Sequence, residues 1–216
     1  MQRFLYPCIR LLLTAGWLLF AAAGALADSD AETRTILVLG DSISAAYGMS
    51  LEQGWVALLA GRLESEDIDA EVVNASISGE TTGGGLRRLP ALLEQHRPAL
   101  VIIELGANDG LRGFPLKGLR ANLSALSKTS REAGAAVILL PMEIPPNYGQ
   151  RYTSGFRETF SRVAGDTGST LAPFILEDFA TDPAYMQPDG IHPTAAAQPL
   201  MLETVYPAIS AVLAEL

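Results

Sequence analysis

Apolar residues in this chain follow two different periods. The runs Ile36-Leu37-Val38-Leu39, Leu100-Val101-Ile102-Ile103 and residues 136–140 are continuous, without polar alternation. That is the pattern of strands covered on both faces. Between the first two runs, Trp55, Leu58, Leu59 and Leu63 recur at helical spacing and leave Arg62 and Glu66 outside. Leu89, Leu92 and Leu93 do the same before Pro98. The pattern predicts strands over 35–39, 71–74, 100–104, 136–140 and 170–174, and helices over 52–66, 86–96, 116–133, 152–166 and 195–216. Residues 75–85 and 106–115 read as Gly-containing loops and 141–149 as a Pro-rich loop. Strand and helix alternate five times. The expectation is an α/β protein, a three-layer α/β/α sandwich on a five-stranded parallel sheet. By analogy with flavodoxin-like folds its strand order is 2-1-3-4-5.

Composition adds bounds. A chain of 216 residues with 49% hydrophobic and 18% charged residues suits one globular domain with a sizeable core. Residues 1–27 stand apart. Arg3 and Arg10 precede an uncharged apolar run over 11–25, and Ala25-Leu26-Ala27 supplies small residues before Asp28. This reads as a cleaved signal peptide, since fifteen residues fall short of the roughly 20 that span a bilayer. The expected division is 1–27 signal peptide and 28–216 a single domain. The mature protein would be periplasmic or secreted, without a stable membrane anchor. Cys8 precedes the apolar run, so it is misplaced for a lipoprotein cysteine, and the mature chain would have no cysteine. Its stability would rest on its core, and a catalytic cysteine or thiolate metal site is excluded. The net charge of −9 becomes −11 without Arg3 and Arg10. Such a chain has no basic footprint for nucleic acid or anionic lipid.

The chemistry-bearing residues gather in loops that this topology brings to one rim. Gly40-Asp41-Ser42-Ile43 follows the first strand, where Ser42 is either a helix N-cap or a nucleophile. If a helix starts there, its unpaired N–H groups and dipole would favour a developing negative charge. Of the two histidines, His96 sits among charges at a helix end and reads as a solvated C-terminal cation. His192 lies in a Gly/Pro-bounded loop three residues after Asp189. Asp189 can fold back to accept the Nδ1–H of His192, leaving Nε2 to take a proton from serine. Acyl transfer also needs oxyanion donors. The Ser42 N–H, the Gly79 N–H and the Asn108 amide are candidates, although a turn glycine and a turn-forming Asn are serious rivals. Asp41 has no assigned part beyond bracing its loop through backbone hydrogen bonds.

Other chemistries are poorly served. No P-loop or G-x-G-x-x-G occurs, and Gly83-Gly84-Gly85 leads to Leu86-Arg87 rather than a phosphate-binding Lys. Two histidines without H-x-x-x-H spacing argue against zinc. The G-x-S-x-G elbow is absent, because Ser44 is followed by Ala45.

Taken together, Gly40-Asp41-Ser42-Ile43, Gly79 after Asn74-Ala75-Ser76-Ile77-Ser78, Gly106-Ala107-Asn108-Asp109 and Asp189-Gly190-Ile191-His192 closely resemble the blocks of the SGNH (GDSL) hydrolases. The likeness spans about 35–206, with long phrases at 74–81, 105–114 and 186–193. It looks closest to the periplasmic multifunctional branch described as thioesterase, lysophospholipase and arylesterase. The resemblance implies Ser42 as nucleophile, His192 as base, Asp189 as its partner, and Ser42, Gly79 and Asn108 as the oxyanion hole. Ile43 stands where the name motif has Leu, an apolar exchange expected to alter packing alone. No metal or organic cofactor is expected. The expected partner is a small-molecule acyl ester or thioester, taken by a monomer.

Two loops are expected to shape the acyl site, through Leu111 and Phe114 on one side and Ile144, Pro145 and Tyr148 on the other. The bland alternative is that they only cover the sheet edge. An acyltransferase or carbohydrate deacetylase on the same scaffold is the alternative activity, and a non-catalytic binding protein the alternative class.

Overall fold

The structure is a computed structural model and describes residues 33–216. The expected leader and the start of the mature chain at Asp28 lie outside the described residues. Five parallel strands, β1 (Arg34–Gly40), β2 (Ala70–Asn74), β3 (Leu100–Glu104), β4 (Ala136–Leu139) and β5 (Thr170–Leu171), lie in the order β2-β1-β3-β4-β5. The predicted order is therefore observed. Register pairs Gly40 with Glu104 at the carboxyl ends of β1 and β3. The direction of winding reverses across this pair, since β2 lies outside β1 and β4 outside β3. A crevice opens at such a switch point.

The continuous apolar runs are buried as their pattern demands. Ile36 to Leu39 and Leu100 to Ile103 are at most 1% exposed. The helices α1 (Trp55–Ser65), α2 (Thr82–His96), α3 (Ala107–Leu111), α4 (Leu116–Glu132), α5 (Gln150–Thr167) and α6 (Gln198–Leu213) complete the chain. In α1, Trp55, Val56, Leu59 and Leu63 face the core. The Trp55 N–H donates to the buried Gln198 Oε1 at 2.9 Å, which ties α1 to α6.

Most boundaries shift by one to three residues, and four departures say more about the fold. The first helix begins at Trp55, after a separate 3₁₀ turn over Leu51–Gln53. The second begins at Thr82, inside the predicted Gly-rich loop. The Thr81 side chain caps it by accepting the Gly84 N–H. A Cβ on Gly84 would lie 1.6 Å from Glu80 Oε1, and one on Gly85 2.5 Å from Leu105 Cδ1. These glycines serve close packing within a helix, at a propensity cost of roughly 1 kcal/mol each. The loop over 106–115 contains α3. Finally, β5 spans two residues rather than five: the Ala172 N–H still donates to the Leu139 carbonyl at 3.0 Å, but Pro141 beyond β4 brings no N–H to continue the ladder.

Candidate active site

Ser42 leaves the sheet at the end of β1, half-buried, and its Oγ lies 3.0 Å from His192 Nε2. His192 Nδ1 lies 2.6 Å from Asp189 Oδ2. The other oxygen, Asp189 Oδ1, accepts the backbone N–H groups of Ile191 at 2.9 Å and His192 at 3.0 Å. Those bonds, led by the His192 N–H, hold the Asp189 carboxyl down at about 2. The loop is fixed at both sides. Met186 pairs with Pro193 in an antiparallel bridge, and the Gln187 N–H donates to the His192 carbonyl at 2.7 Å.

No helix starts at Ser42, so the condition for a helix dipole behind it is not met. Residues 42–48 make turns instead, with the Ala45 N–H on the Asp41 carbonyl, the Tyr47 N–H on the Ser42 carbonyl, and Ala46 at φ +54°. A left-handed non-glycine residue inside this stretch is incompatible with a continuous right-handed helix. A helix dipole therefore contributes nothing behind Ser42. The N–H groups themselves remain relevant. Among the described residues, those of Ser42 and Gly79 donate to no protein acceptor. Gly79 has φ +80°, and its carbonyl accepts from Arg112 Nη2 at 3.0 Å.

Asn108 sits in the first turn of α3. Its Nδ2 donates to Asp41 Oδ2 at 3.0 Å, which leaves the second amide hydrogen for another acceptor. The neighbouring Asp109 is buried and anchors α2 to α3. Its carboxylate accepts Thr82 Oγ1 at 2.6 Å and the Thr82 N–H at 2.8 Å. Asp41 does brace its own loop, by accepting the Ile43 N–H at 3.1 Å, and it also holds Asn108.

The two loops expected around an acyl chain meet at this rim. Tyr148 donates its hydroxyl to the Leu111 carbonyl, and Tyr152 donates to the Phe114 carbonyl. Phe114, Pro145 and Tyr148 are exposed and Leu111 is half-buried. Ile144 is turned inward, since a Cβ on Gly110 would lie 2.6 Å from its Cγ2. His96 ends α2, which runs from this rim to the opposite end of the sheet, so the structure keeps it apart from Ser42.

Three contributors escaped the sequence reading. Tyr47 lays its ring over His192, with centroids 4.2 Å apart. Gln187 Nε2 donates to the carbonyls of Tyr47 and Pro193 and so ties the two loops together. Glu104, at the end of β3, is fully buried beside Asp41. A carboxylate closing an otherwise apolar strand was the available signal for Glu104.

Parallel α/β architecture with a Ser-His-Asp relay at the switch point defines a hydrolase class rather than a dinucleotide or phosphate site. Residues 38–199 match the GDSL-like Lipase/Acylhydrolase family. Esterase TesA of Pseudomonas aeruginosa is 50% identical over 205 residues, covering 95% of this chain and all of that one. Thioesterase 1/protease 1/lysophospholipase L1 of Escherichia coli K12 is 44% identical over 169 residues, covering 78% of this chain and 80% of that one. The crystal structure of the psychrotrophic esterase EstA of Pseudoalteromonas sp., inhibited by monoethylphosphonate, superposes with a TM-score of 0.81 at 50% identity. That alignment covers 83% of this chain and 98% of EstA. The chain belongs to the GDSL-like lipase/acylhydrolase family, the SGNH hydrolases, and is a serine ester hydrolase.

Proposed function

We propose that Ser42, His192 and Asp189 carry acyl transfer to water from carboxylic esters and thioesters, with aryl esters, acyl-CoA and lysophospholipids as the substrate range. The observation that supports this most directly is the unbroken relay from Ser42 Oγ to His192 to Asp189, at 3.0 and 2.6 Å. Ser42 Oγ attacks the acyl carbonyl while His192 Nε2 takes its proton. Asp189 keeps the imidazole in the tautomer with Nδ1 protonated and stabilises the imidazolium. The tetrahedral oxyanion is met by the N–H groups of Ser42 and Gly79 and by the free amide hydrogen of Asn108. The imidazolium then protonates the departing alcohol or thiol. A water activated by the same imidazole releases the acid.

Leu111, Phe114, Pro145 and Tyr148 are proposed to receive the acyl chain, with Ile144 backing that wall from within. Export through the leader at 1–27 to the periplasm fits the thioesterase and esterase likeness and the lack of cysteine beyond Cys8. Incubation with a fluorophosphonate followed by peptide mapping tests the reading. The adduct is expected on Ser42 with loss of esterase activity, and an unmodified Ser42 in active protein would sink it.

A further inference from the structure

Beneath the oxyanion donors lies a pair of carboxyls that the relay does not use. Asp41 is 1% exposed and Glu104 is wholly buried, and the Asp41 N–H donates to Glu104 Oε2 at 3.2 Å, which makes the two residues neighbours. A hydrogen bond between the two carboxyls would need one of them to carry a proton. The surrounding donors identify which one. Asp41 Oδ1 accepts the Ile43 N–H and Oδ2 accepts the Asn108 amide, so both oxygens of Asp41 act as acceptors. Glu104 Oε2 accepts the Asp41 N–H at 3.2 Å and the Ser44 hydroxyl at 2.7 Å. The Ser44 hydroxyl oxygen in turn accepts the Trp55 indole N–H at 3.2 Å, so Ser44 both donates to Glu104 and receives from α1. Glu104 Oε1 is buried and receives no donor among the described residues. Gly40 makes room for the arrangement, as a Cβ there would lie 2.7 Å from Glu104 Oε2.

We propose that Glu104 is a neutral carboxylic acid that donates its Oε1 proton to the Asp41 carboxylate, and that this pair positions the Asn108 amide for the oxyanion. An unpaired buried oxygen becomes a satisfied donor, and two adjacent carboxyls hold one negative charge instead of two. Burial, and after it the charge of Asp41, push Glu104 well above the usual carboxylate range, in keeping with this assignment. Asp41 and Glu104 are positioning residues that act through Asn108. The proposal rests on the oxyanion role of Asn108 given above.

The test uses replacements at 104, 41 and 108 in the whole enzyme, with folding checked by circular dichroism. The side chain introduced by Glu104→Gln can accept from the Asp41 N–H and the Ser44 hydroxyl through its oxygen. Its amide can donate to the Asp41 carboxylate, so it imitates the protonated acid. Glu104→Ala should lower kcat roughly tenfold or more with KM nearly unchanged, and Glu104→Gln should restore most of it. Asp41→Asn should lower kcat, by less than the roughly 10²–10³-fold of Asn108→Ala, and should cost little more in the Asn108→Ala background. An infrared band of a protonated carboxyl at neutral pH should vanish in Glu104→Gln. Equal impairment in Glu104→Gln and Glu104→Ala, a persisting infrared band, or additive losses at 41 and 108 would overturn the proposal alone. An unchanged kcat in Asn108→Ala would overturn the oxyanion reading and the proposal with it.

Discussion

Asp189 grips His192 twice, through the ring Nδ1 at 2.6 Å and through the backbone N–H at 3.0 Å. One carboxylate therefore fixes both the orientation of the imidazole and the course of the loop that carries it. Replacing Asp189 by Asn should lower kcat by about 10²–10⁴-fold, because the amide favours the wrong imidazole tautomer. Steady-state kinetics on a p-nitrophenyl ester measures this.

The same carboxylate makes a prediction about acid. Its folded value of about 2 lies below the ordinary 3.8, so its stabilisation is full above 3.8 and lost as pH falls through about 2. The Asp189 side chain is 41% exposed, and solvent screening keeps the effect small. The Tm deficit of Asp189→Asn should be constant near neutrality and shrink below about pH 4. A deficit that grows on acidification would contradict the bonding described.

Asp41 has the opposite sign. Burial raises its carboxyl to about 6 against the lowering effects of the Ile43 N–H, Glu104, Asn108 and the charge of His192. A raised carboxyl value means stability that is full below the ordinary 3.8 and lost as pH rises through about 6. Asp41→Asn removes this dependence. Its Tm relative to the parent should therefore climb between about pH 4 and pH 7, while its kcat stays depressed. Thermal melts across that range decide the matter, and a flat difference would count against a buried ionised Asp41.

Leu111 and Phe114 offer a test of the acyl wall. Each buried methylene contributes about 0.8 kcal/mol, so truncating both to Ala should cost long-chain esters roughly tenfold in kcat/KM and spare acetyl esters. Phe114 is 44% exposed, and its loss should barely move Tm. An unaltered chain-length profile would return these loops to covering the sheet edge.

Much of this was legible in the sequence, for identifiable reasons. Strand β3 was read residue for residue, because an apolar run bounded by Pro98 and Gly106 has one sensible length. Asp189 and His192 were legible because an Asp three residues before a loop His can reach its own neighbour. The start of α2 was not, since Gly83-Gly84-Gly85 carries a loop signal locally and its purpose, contact with Glu80 and Leu105, is tertiary. The turn at 42–48 was missed because the left-handed Ala46 has no signature in residue type. The tie between Asp41 and Asn108 spans 67 positions and depends on β1 lying beside β3.

The most direct measurement is turnover of a p-nitrophenyl ester by Ser42→Ala protein whose circular dichroism matches the parent. The account predicts a fall in kcat of several orders of magnitude, about 10³-fold at the least, with fold and Tm retained. Turnover near the parent rate would contradict it.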